Sequence, residues 1–224
     1  MNQIENLNKL KQKWQKERPE YDNFVSDGIL DYQKFSTQSP KILFLLKEAN
    51  DNFKNIVPLP PNKKKGYGPN GNSHTFWRNM RAYEAIIQSV WQNEKFDKKE
   101  LLKIKEQPNI NTAYVNFKKQ CENKSTSNEK DLLKYVKQDK DFLNEQIELI
   151  NPNVIYCAGT FLLYKKLDIP YEKLSSKIYI SNNRIIIDYL HFSHRKGYDT
   201  FEELYDLLNV SAFHKKVEEL MSAV

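Results

Sequence analysis

Cysteine is scarce: Cys121 and Cys157 are the only two in 224 residues. Two thiols cannot build a disulfide framework or ligate a four-thiolate cluster on one chain. Histidine is scarce as well, with four in all, no i,i+4 pair and no Cys/His cluster. That leaves no recognisable metal-ligand spacing, so no metal and no cofactor are expected. No apolar run approaches the roughly 20 residues needed to cross a bilayer. Residues 1–20 are polar with helical spacing, and they contain no apolar signal-peptide segment. Internal repeats and long linkers are absent too. The expectation is a soluble, cytoplasmic, monomeric protein with no membrane partner.

What is present is charge and aromatic content. Lys and Arg number 35 against 29 Asp and Glu, a net charge of +6. This balance suggests a polyanionic partner, although acids are interspersed with bases along the chain. Two basic clusters stand out: Lys63-Lys64-Lys65, and Lys118, Lys119 and Lys124. A hydrophobic content of 39% over this length suffices for the core of one large α/β domain.

Periodicity orders the elements. Ile4, Leu7, Leu10 and Trp14 recur at helical spacing over residues 2–17, and Pro19 stops that helix. Residues 41–46 form a wholly apolar run, as suits a parallel strand buried on both faces. Residues 58–72 hold four prolines, three glycines and three lysines and read as a long irregular loop, either functional or disordered. A helix follows over residues 76–91, then a strand over 110–117. Thr126 and Glu129 have capping-box spacing, predicting one helix from there to Ile150, stopped by Asn151-Pro152. Strands are expected at 154–157, 177–180 and 185–190, with Ser181-Asn182-Asn183 as a hairpin-like connection. A last helix spans 199–222. Strands alternating with helices imply a mainly parallel sheet in an α/β/α sandwich. The reading is one domain, with residues 1–40 a helical extension, 41–200 the core and 201–224 a C-terminal helix.

The segment Ile185-Ile186-Ile187-Asp188-Tyr189-Leu190-His191-Phe192-Ser193-His194-Arg195 is the most informative. A β-branched run ends in a cluster of donors, where open α/β sheets keep their ligand crevices. Three other stretches fall in order before it: Leu43-Phe44-Leu45-Leu46-Lys47-Glu48-Ala49-Asn50, Thr75-Phe76-Trp77, and Ala113-Tyr114-Val115-Asn116-Phe117-Lys118. Together, over residues 41–200, they resemble the motifs of the uracil-DNA glycosylase superfamily. The helix-Pro-strand segment ending in Ala158-Gly159 is similar to that family's as well. The chain departs from the family pattern at Lys47, Asn50 and Asp51, which stand in place of Gly, Pro and Gly, and at Phe192, which stands in place of Pro. It also lacks the thiols of the family's iron–sulfur branch.

The resemblance implies a four-stranded, mainly parallel central sheet and hydrolysis of the N-glycosidic bond of a flipped uracil or related base in DNA, duplex or single-stranded. It implies residue roles as well. Phe76 would stack on the base, with Trp77 as alternate, and Asn116 would read the base edge from a strand end. His191 would donate to the departing base. Glu48, or Asp51 in another loop register, would orient water or offset positive charge on the sugar, and Asn50 would position water. Ser193, His194, Arg195 and Lys118 would meet phosphate or wedge the helix, with Lys119 and Lys63-Lys64-Lys65 adding phosphate contacts.

Each residue also has a purely structural reading. His191 could be satisfied by local backbone, Glu48 could be a solvated loop acid, and Asn116 and Ser193 could close turns. Phe76 and Trp77 could be core aromatics at a helix start, and the lysines a solvated run. Two further function classes stay open. One is a non-catalytic nucleic-acid-binding module on the same fold. The other is a protein acting on a free nucleotide or small phosphate ligand.

Overall fold

The computed structural model describes residues 2–50, 75–105, 111–122, 128–193 and 199–222. Among these residues seven strands form one mixed sheet in the order β1-β3-β2-β4-β7-β6-β5. They are β1 (Gly28–Ile29), β2 (Ile42–Asn50), β3 (Ala113–Glu122), β4 (Val154–Ala158), β5 (Glu172–Ser175), β6 (Ile178–Ser181) and β7 (Arg184–Tyr189). The sequence predicts four strands around a parallel centre. Parallel pairing does join β3 to β2, β2 to β4 and β4 to β7. The correction lies at the edges, where β1 adds antiparallel to β3, and β6 and β5 add antiparallel beyond β7. Residues 1–40 therefore supply a strand as well as helices.

Alternation along the central strands explains why both faces are covered. Ile42, Phe44 and Leu46 of β2 enter one core, with Val154 and Tyr156 of β4 and Ile185 and Ile187 of β7. Leu43, Leu45, Ile155, Cys157 and Ile186 enter the other. Helices α3 (Thr75–Trp91), α4 (Lys98–Lys105), α8 (Asp199–Leu208) and α9 (Ser211–Ser222) cover the first face. The second is covered by α1 (Gln3–Glu17), α2 (Tyr32–Thr37), α5 (Glu129–Gln138), α6 (Lys140–Ile150) and α7 (Phe161–Tyr164). A bidentate Arg184–Glu148 pair, at 2.6 and 2.7 Å, clips α6 to the start of β7.

Two boundaries differ from the sequence reading, while the hairpin-like connection expected at Ser181-Asn182-Asn183 is found. The helix expected to run through Ile150 is two helices, and Asn128 caps the first, accepting from the Lys130 N–H at 3.0 Å; Thr126 lies outside the described residues. The break falls at Asp139, whose buried carboxylate takes hydrogen bonds from Arg18 Nε and the Tyr21 hydroxyl, 2.8 Å each. The final helix is also two, parted at Asn209 and Val210. The connection between β6 and β7 is a tight hairpin with Asn182 and Asn183 at φ 44° and 62°. Asparagine tolerates this left-handed backbone better than most side chains.

Helix α3 carries a buried acid. Burial pushes the Glu84 carboxyl up to about 7, against the opposing hydrogen bond from the Asn111 N–H and the nearby Arg81 charge. The folded protein thus favours the neutral acid. The resulting stability is fully present below the ordinary value of 4.5 and is lost as pH rises through about 7. Glu84→Gln keeps a neutral side chain at every pH. Its stability relative to wild type should rise from near zero at low pH to about 3 kcal/mol at pH ~8. Urea unfolding of both proteins across that range measures the difference, and a flat difference would refute the assignment.

Candidate functional site at the C-terminal edge of the sheet

The ends of β2, β4 and β7 are tied together by turn chemistry. Gly159, at φ +66°, donates its N–H to the Tyr189 carbonyl at 2.8 Å, folding the end of β4 over the end of β7. A β-carbon at Gly159 would lie 3.6 Å from the His191 Cβ, so this turn forms the wall behind the histidine. Thr160 Oγ1 donates to the Leu45 carbonyl at 2.9 Å and links the same turn to β2.

The segment after β7 is held from below. The Tyr156 hydroxyl donates to the Leu190 carbonyl at 2.9 Å, and the Asn79 carboxamide donates to the Phe192 carbonyl at 2.7 Å. Phe192 is fully buried. It stacks on Tyr156 at 5.4 Å and meets Phe44 edge-on at 5.0 Å and Phe76 edge-on at 5.3 Å. A proline could not fill this aromatic box, which gives Phe192 a packing role at the position where the family pattern has Pro.

His191 and Phe76 come together, with ring centroids 5.8 Å apart. Both are half-buried. His191 Nδ1 accepts the Ser193 N–H at 3.2 Å. In the neutral ring this contact leaves the proton on Nε2. Ser193 itself is exposed, and its backbone orients the histidine.

Glu48 and Lys118 form a second pair, in register across β2 and β3, with Nζ 3.8 Å from Oε2. The Glu48 side chain is 8% exposed and that of Lys118 is 1% exposed. Lys118 also lies 4.5 Å above the Tyr135 ring. The side chain expected at a phosphate is thus engaged with Glu48 and Tyr135 inside the fold. Lys119 is equally buried, its ammonium on the Asp27 carboxylate. Burial lowers the Lys119 amine below its ordinary range, an effect that the charge of Asp27 opposes.

The position of Asn116 is a correction. Strand β3 runs on to Glu122, so Asn116 sits within the strand rather than at its end. Its backbone N–H and its carboxamide both donate to Asp27 Oδ2, at 2.7 and 3.1 Å. Asp27 Oδ1 takes Lys119 and the Gln146 carboxamide. Asp27 and Gln146 thus form a polar centre that periodicity gave no means of finding, because Asp27 lies in a short polar connection. Asn79 and Tyr156 were missed for a related reason, since a buried helix face and an apolar strand hide single polar atoms.

Asn50 closes β2 opposite Glu122. Asp51, His194, Arg195, His74, Lys124 and the loop containing Lys63-Lys64-Lys65 lie outside the described residues. Among the described residues no group of three or more His, Cys, Asp or Glu is placed to hold a metal ion, and no helix is long and apolar enough to cross a membrane. Compared with models of protein families, the chain matches none, and no curated protein matches it either.

Proposed function

We propose that the protein is a DNA base-excision glycosylase that hydrolyses the N-glycosidic bond of a flipped uracil or related base. The carrying observation is His191, held at the end of a central strand with Nδ1 satisfied by Ser193 and its ring against Phe76. The parallel series β3-β2-β4-β7 within the larger sheet supports the same reading. In the reaction the C1′–N bond breaks and the base leaves with the electron pair. Nε2–H of His191 stabilises the developing anion, water supplies the new C1′–O bond, and the proton that water gives up ends on the departed base. Phe76 stacks on the base, and Glu48, set by Lys118, offsets charge on the sugar. The finer architecture proposed is the α/β/α sandwich with these four strands as its catalytic platform.

The experiment is incubation with duplex and single-stranded DNA bearing uracil, hypoxanthine, xanthine or modified cytosine, followed by alkali. Strand breaks are expected with at least one of these bases. His191→Ala should slow base release by about 10²–10³-fold, the loss typical of one anion-stabilising donor. No breaks across the panel would sink the proposal.

A second reading, a non-catalytic nucleic-acid-binding module, is favoured by one observation. Asn116 and Lys118, two side chains assigned to base and phosphate, are engaged inside the fold. Salt-sensitive DNA binding without base release would select it.

A further inference from the structure

At the β1 edge, away from His191, a cavity of about 430 Å³ opens between α1, residues 24–32, β3 and α6. Its volume falls within the range of small-molecule sites, roughly 300–1,000 Å³. The walls are apolar and largely aromatic: Leu7, Trp14, Phe24 and Tyr32, with Phe24 set edge-on to Trp14 at 5.8 Å. The charged lining residues are Asp27, Lys119 and Lys11, so two ammonium groups accompany one carboxylate.

Asp27 has no acceptor capacity left over. Each oxygen already takes two donors, Lys119 and Gln146 on Oδ1 and the two Asn116 groups on Oδ2. Lys119 neutralises Asp27 and lies 5.1 Å from the Trp14 ring. Lys11, bonded to Ser26 Oγ at 2.6 Å, is then the uncompensated charge of the lining. The lining therefore combines apolar, partly aromatic walls with excess positive charge.

We propose that this cavity is a binding site for a small aromatic carboxylate, its ring against Leu7, Phe24 and Tyr32 and its carboxylate toward Lys11. The site does not depend on the glycosylase reading. Calorimetric titration of the full chain with naphthoate tests it, with neutral naphthylmethanol as the comparison. Saturable one-site binding of naphthoate is expected, with naphthylmethanol and the Lys11→Glu variant each weaker by about tenfold or more. Leu7→Trp, which adds bulk to the lining, should abolish binding while keeping the wild-type circular dichroism spectrum. If that variant fails to fold, Lys11→Glu decides. Absence of saturable naphthoate binding would overturn the proposal, and so would equal affinity for the neutral compound or binding unchanged by the substitutions.

Discussion

Asp27→Ala is expected to lower the free energy of unfolding by about 3–5 kcal/mol, as removal of one partner of a buried ion pair does. The substitution leaves the Lys119 ammonium, 1% exposed, without its carboxylate. The Asn116 and Gln146 donors also lose their acceptor. The cost comes mainly from the groups left behind. Asp27→Leu combined with Lys119→Met removes both charges and should recover a large part of the loss. Chemical denaturation of the two single variants and the double variant measures this coupling. A double variant no more stable than Asp27→Ala would show that the pair is not the source of the effect.

The second large effect is expected at Phe192. Truncation to alanine empties a box made by Phe44, Phe76, Tyr83 and Tyr156. The cavity and lost burial together should cost about 3–5 kcal/mol. The same ring fixes the turn that carries His191, so a ligand bound there should be released faster as well. Phe192→Leu keeps most of the volume and should cost far less. Thermal unfolding of both variants separates packing volume from any special need for an aromatic ring.

How much was legible in the sequence follows from how the signal arises. Strands β2, β4 and β7 are continuous apolar runs, and such runs announce burial on both faces. Helices α1 and α3 begin and end within a residue of the expectation because their apolar spacing is regular. Strand β5 reads Glu-Lys-Leu-Ser and β1 is Gly-Ile, too polar or too short to register. The C-terminal half of β3 was hidden by Lys118-Lys119-Gln120, which looks like a solvated end. Its lysines are instead buried by distant carboxylates, Glu48 and Asp27. The break at Asp139 has the same origin, since Arg18 and Tyr21 lie over a hundred positions earlier in the chain. At the candidate site, the strand that ends two residues before His191 was legible. The inward turn of Asn116 and Lys118 was not, because nothing local marks it.

One feature of the sheet bears on motion. Strand β7 is bonded on both sides, parallel to β4 and antiparallel to β6, and lies two strands in from the β5 edge. Its amide protons should therefore exchange with deuterium in the slowest class, opening only with the whole domain, while those of β1 and β5 exchange through local fraying. The imidazole of His191 would then sit two residues beyond the most persistent rung of the protein, and a ligand there would be held by a post that does not breathe.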